Sequence, residues 1–127
     1  MKSDITVISG RKIFYRYAGD AGIPVVFVHG NSFSSRAFGK QLDGPLSERY
    51  RLFAPDLPGH GNSEDAAEPE IEYTLRGFAE LLAGFVTVLD IDDAVFVGWS
   101  LGGHIILEAA DLLPKARGFM ISGTPPL

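Results

Sequence analysis

A serine framed by glycines, Gly98-Trp99-Ser100-Leu101-Gly102, follows the apolar run Ala94-Val95-Phe96-Val97 and leads into a stretch, Leu101 to Leu113, that reads as a helix. A turn passing directly from strand to helix needs very small flanking residues, and it holds its central residue in a strained backbone conformation at the helix N-terminus. Gly98 and Gly102 meet the first demand, and the second exposes the Ser100 hydroxyl. The backbone N–H of Leu101 would then point at the space beside the serine oxygen, where a developing negative charge could be stabilised. The plainer reading of Ser100 is an ordinary helix N-cap, a position serine favours.

The rest of the chain alternates strand and helix patterns, so the expected class is α/β with a mostly parallel sheet flanked by helices. Ile5 to Ser9 and Lys12 to Tyr17 alternate around Ser9-Gly10-Arg11, which predicts an antiparallel hairpin at one sheet edge. Val25 to His29 is a solid apolar run after Pro24, as in a strand covered on both faces. Arg51 to Pro55, Ala94 to Gly98 and Gly118 to Ser122 read as further strands, the last broken by Gly123-Thr124-Pro125-Pro126. Leu75, Phe78, Ala79, Leu82, Phe85, Val86 and Leu89 recur at helical spacing behind the N-cap candidate Thr74. Pro114 should stop the helix that begins at Leu101. On that helix His104 and Glu108, at i and i+4, would pair.

With 127 residues, 46% of them hydrophobic, the chain can bury one real core. Eleven basic against sixteen acidic residues, with no basic cluster, offer no footprint for nucleic acid. The absence of cysteine and the scatter of the three histidines leave no metal-ligand spacing, so neither metal nor cofactor is expected. No segment has the length of a membrane span and the N-terminus lacks an unbroken apolar stretch, so no membrane association is expected and the cytoplasm is the default compartment.

Two more segments bear on chemistry. His29-Gly30-Asn31-Ser32 lies at the C-terminal end of a predicted parallel strand, the end at which open α/β sheets bind ligands. Asp56-Leu57-Pro58-Gly59-His60-Gly61-Asn62-Ser63 is a stiff loop whose carboxylate and imidazole read as braces, and His29 reads the same way. His29-Gly30-Asn31, Asp56-Leu57-Pro58-Gly59-His60-Gly61 and Gly98-Trp99-Ser100-Leu101-Gly102-Gly103-His104, in this order, resemble the α/β-hydrolase superfamily across the whole chain. Within it, these segments together with Ile121-Ser122-Gly123-Thr124-Pro125-Pro126 are similar to the metal-independent N-acyl-homoserine lactonases.

The resemblance implies that Ser100 is the nucleophile and that the N–H groups of Asn31 and Leu101 form the oxyanion hole; the plainer reading of Asn31 is a turn residue, and its backbone role survives either way. Trp99 and Ser32 would wall the substrate pocket, with simple packing the other reading of Trp99. The superfamily's order is serine, acid, histidine, and only 27 residues follow Ser100, none a convincing base. Residues 1–127 are therefore expected to form the N-terminal portion of a single α/β-hydrolase domain, lacking the cap, the C-terminal strands, the acid and the catalytic histidine. The expected substrate is a small acyl ester or lactone, with N-acyl-homoserine lactone the narrower expectation. Branches that use an aspartate nucleophile are disfavoured by Ser100, while perhydrolases, carbon-carbon bond hydrolases and acyltransferases are not separated. The competing expectation is a non-catalytic fragment or pseudoenzyme that binds or self-associates through Phe119, Met120 and Ile121 on an uncovered sheet edge.

Overall fold

In a computed structural model, which describes residues 1–126, the chain forms one six-stranded sheet with helices on both faces. Strands β1 (Lys2–Ile8) and β2 (Arg11–Ala18) make the anticipated hairpin. Ile8 pairs with Arg11, so only Ser9 and Gly10 turn the corner, and both have positive φ, 50° and 79°. A two-residue turn of that hand matches the natural twist of the paired strands. The hairpin starts three residues earlier than alternation predicted, because exposed Lys2, Ser3 and Asp4 continue the ladder without adding to the apolar pattern.

Strands β3 (Pro24–Val28), β4 (Arg51–Pro55), β5 (Val95–Trp99) and β6 (Gly118–Ser122) complete the order β1-β2-β4-β3-β5-β6. β4, β3, β5 and β6 run parallel, and β2 joins them antiparallel to β4. The sheet is thus mixed, with its parallel part at the centre and at the β6 edge. β3 is covered from both sides: Val26 and Val28 face Phe85 and Ile105 on one side, while Phe27 meets Phe38 and Leu42 on the other. An uninterrupted apolar run is what two-sided burial requires.

One face is covered by two helices. A short turn of helix, α1 (Gly39–Leu42), lies on the other face between single 3-10 turns at Ser35–Phe38 and Pro45–Glu48. Another short turn, α2 (Pro69–Glu72), leads into α3 (Leu75–Val88), whose Thr74 hydroxyl accepts the Gly77 N–H at 3.0 Å as the predicted N-cap. α4 (Leu101–Ala109) follows the turn at Ser100, and Phe78, Leu82 and Phe85 of α3 share its core with Ile105 and Ile106. The predicted helix to Leu113 instead ends at Ala109 and tightens into a 3-10 turn over Ala110–Leu112. Pro114 forces its predecessor away from helical geometry, and Leu113 sits at φ −122°, ψ 58°. The expected His104–Glu108 pair does not form. Glu108 is taken instead by Arg76 of α3, at 3.3 Å, whose guanidinium also reaches Asp111 at 3.1 Å.

Among the described residues β6 has a neighbour on one side only. Phe119, Met120 and Ile121 remain 44%, 61% and 45% exposed, an apolar strip on an open edge.

Candidate active site

Parallel strands of an open sheet end together, and here the C-terminal ends of β3, β4 and β5 deliver the three chemistry-bearing segments to one place. Ser100 stands between β5 and α4 with φ 56° and ψ −118°, a conformation that costs a side chain of this kind roughly 1–3 kcal/mol. Its side chain caps no helix N–H, which removes the plain N-cap reading. The strained backbone is held from both sides. The Ser100 N–H donates to the Ser122 carbonyl at 2.9 Å, and the Ser100 carbonyl accepts from the Gly103 N–H at 3.0 Å and the Thr124 hydroxyl at 2.8 Å.

Glycine is required where the turn closes. A Cβ on Gly98 would come within 2.6 Å of the Gly102 backbone, and one on Gly102 would run into the Val28 carbonyl oxygen. The start of α4 thereby lies directly on the end of β3. The loop that leaves β3 is equally close, since a Cβ on Gly30 would lie 3.2 Å from the Ser100 Cβ.

Asn31 and Leu101 line the same cleft, of about 450 Å³, with His60, Tyr73, Thr74 and Phe78 around it. Their N–H groups face opposite to carbonyls whose partners are fixed, because C=O and N–H of one trans peptide point in opposite directions. The Gly30 carbonyl accepts from the His29 ring and from the Phe33 N–H at 3.2 Å, and the Ser100 carbonyl is bonded as above. The N–H groups of Asn31 and Leu101 are thus left pointing away from those bonds, and neither donates to another group among the described residues. Two unpartnered backbone donors on the loop and the helix that flank a strained hydroxyl are of the kind that can hold an anionic oxygen generated by attack of that hydroxyl.

The other two predicted pocket residues lie apart from this cleft. Trp99 lines a second one, of about 510 Å³, where its ring meets Phe33 edge-on at 4.7 Å, with Phe27, Phe38 and Gln41 nearby. Ser32 is an exposed turn residue at φ 62° and lines neither. Tyr73 and Phe78 line the cleft beside Asn31 although sequence reasoning assigned them no such place.

His29 and Asp56 brace the floor. The fully buried His29 donates from Nδ1 to the Gly30 carbonyl at 2.7 Å and accepts the Leu57 N–H on Nε2 at 3.0 Å, an arrangement that requires the neutral ring. Asp56, also fully buried, accepts the Ser35 and Asn62 N–H groups at 2.7 and 2.9 Å. The His60 Nδ1 is 2.9 Å from the Pro58 carbonyl. Burial pushes the His29 pKa below its ordinary value; the Gly30 bond opposes this, the neighbouring His60 adds to it, and Asp56 counters weakly.

A histidine whose folded pKa is depressed takes up a proton more readily when unfolded, so stability rises with pH across the interval between the two values. The contribution of His29 should be complete above about 6.5 and be lost as pH falls toward and through the folded value. The melting temperature should therefore drop between pH 7 and pH 5, and His29→Asn should flatten that slope in calorimetric scans. An unchanged slope would remove His29 as its source.

Among the described residues no group of three or more His, Asp or Glu side chains could hold a metal ion, and no helix is long and apolar enough to cross a membrane. A model of the alpha/beta hydrolase family matches residues 25–127. The non-heme chloroperoxidase of Streptomyces lividans is 32% identical over 127 aligned residues, covering 97% of this chain and 45% of that protein. A pimeloyl acyl-carrier-protein methyl ester esterase of Xanthomonas oryzae pv. oryzae is 38% identical over 106 residues, covering 82% and 38%. The solved structure of the N-acyl homoserine lactonase AidH complexed with N-butanoyl homoserine superposes with a TM-score of 0.96 at 42% identity, covering 100% of this chain and 46% of that one. The chain spans less than half the length of each of these relatives.

Proposed function

Because the chain belongs to the alpha/beta hydrolase family, we propose that it carries the nucleophile and oxyanion site of a serine-dependent ester or lactone hydrolase. The observation that carries the reading is Ser100 at φ 56°, uncapped, beside two N–H groups that have no partner among the described residues. In this reaction the Ser100 hydroxyl adds to the substrate carbonyl and the Asn31 and Leu101 N–H groups hold the resulting oxyanion. Collapse of that intermediate expels the alcohol, and water then releases the acid from the acyl-serine. His29 is engaged at both ring nitrogens, and His60 is held at Nδ1 by the loop. We assign the general base to a histidine supplied by a part of the protein other than these residues.

The narrower substrate is an N-acyl-homoserine lactone. Support comes from AidH, an N-acyl homoserine lactonase whose structures hold N-butanoyl homoserine and, in a mutant, N-hexanoyl homoserine lactone. N-Butanoyl homoserine is the acid that opening of the corresponding lactone yields. The full-length protein should open N-butanoyl and N-hexanoyl homoserine lactones, followed by proton release, at a rate indifferent to EDTA. Activity on simple esters with none on these lactones would remove the substrate class, and loss with EDTA restored by zinc would remove the metal-free route.

A second reading, self-association, is favoured by the exposed β6 strip, since unpaired apolar strand edges recruit partners. The 127-residue chain should accordingly sediment as a dimer or larger species at micromolar concentration. A monomer with a cooperative melt would end this reading.

A further inference from the structure

The segment after β6 reads in sequence as a strand breaker, Gly123-Thr124-Pro125-Pro126, yet it returns to the nucleophile. The Thr124 hydroxyl has one proton to donate. It lies 2.8 Å from the Ser100 carbonyl oxygen and 3.4 Å from that of Ser122, so the shorter contact is the bond. The neighbouring Ser122 carbonyl accepts the Ser100 N–H, so two residues of one short segment grip the nucleophile on both sides of its Cα.

The space for this contact exists only because α4 has glycine at its third position. A Cβ on Gly103 would collide with the Thr124 side chain. The Gly103 N–H also bonds the Ser100 carbonyl, but that bond lies within the first turn of α4 and moves with it. Thr124 is the anchor of the Ser100 carbonyl from outside the helix, tying that peptide to the end of the sheet.

We propose that Thr124 is a positioning residue for hydrolysis: its hydroxyl, by holding the Ser100 carbonyl, fixes the Ser100–Leu101 peptide and so the direction in which the Leu101 N–H meets the oxyanion. This rests on the assignment of Ser100 and Leu101 made above. The oxyanion exists only after attack, so a misdirected donor weakens the transition state and leaves binding of the ground-state ester nearly untouched.

The test uses the full-length protein, p-nitrophenyl butyrate as substrate, and Thr124→Val and Thr124→Ser beside a Ser100→Ala control. Valine keeps the size and branching of threonine and removes the donor; serine keeps the donor. Thr124→Val should lower kcat by about ten- to a hundredfold, less than the hundred- to thousandfold for outright removal of an oxyanion donor. KM should stay within about twofold of wild type, because losing an interaction made only in the transition state lowers kcat and kcat/KM equally. Thr124→Ser should recover most of the lost kcat, and in Thr124→Val the Leu101 amide resonance should shift and exchange faster. Wild-type kcat in Thr124→Val, an equal loss in both variants, or a change confined to KM overturns the positioning role while leaving the hydrolase assignment intact. Turnover unaffected in Ser100→Ala overturns both.

Discussion

Ser100→Ala in the full-length protein should abolish hydrolysis of esters and lactones, lowering kcat by about a millionfold, the loss found when the serine nucleophile of a triad is removed. The same change should block covalent labelling by a fluorophosphonate. Folding should be nearly unaffected, because the Ser100 side chain makes no capping bond and alanine meets the same backbone strain at φ 56°. The pairing of full inactivation with an unchanged melting curve separates a reacting hydroxyl from one that merely ends a helix. Retention of more than a few per cent of the activity would remove Ser100 as nucleophile.

Gly102→Ala should be strongly destabilising for the addition of a single methyl. Its Cβ would overlap the Val28 carbonyl oxygen at the end of β3 and crowd that of His29, the next residue, at 2.9 Å, both backbone atoms. Relief requires α4 to withdraw from β3, which opens the shared core of Ile105, Val28 and Phe96 and carries the Leu101 N–H away from the His29–Ser32 loop. A loss of about 3 kcal/mol or more is expected in urea titrations, at the upper end for overpacking. Gly118→Ala is the matched control, with nothing within 4 Å of the added methyl, and should leave the midpoint in place. A Gly102→Ala protein within about 1 kcal/mol of wild type, an ordinary surface-sized effect, would mean that α4 does not sit on β3 as described.

The elements that sequence alone disclosed share one property: a local cause. Ser9-Gly10 turns the hairpin by itself, the spacing from Leu75 to Leu89 sets the buried face of α3, and Gly98 and Gly102 announce the turn at Ser100. Single turns such as Gly39–Leu42 and Pro69–Glu72 are too short for periodicity to register. Phe78 was legible as a core residue, but periodicity reports which face of a helix is buried and not which end opens on a cleft. The contact of Thr124 with Ser100 spans 24 residues and depends on where β6 stops, so no neighbouring residue hints at it. His104 and Glu108 mislead in the opposite sense. A helical pair of that spacing stabilises by only about 0.2–0.5 kcal/mol, and Arg76 of the neighbouring α3 takes Glu108 instead.

Both groups proposed to steady the charged intermediate belong to the main chain, at Asn31 and Leu101, two residues that also border the cleft. Chemistry and selectivity are thereby written in different parts of each residue. Substitution at either position can reshape the cavity without removing a donor, provided the bonds to the Gly30 and Ser100 carbonyls persist. A lineage built on this turn can drift from one acyl group to another by side-chain replacement alone, with the reaction itself inherited through the backbone.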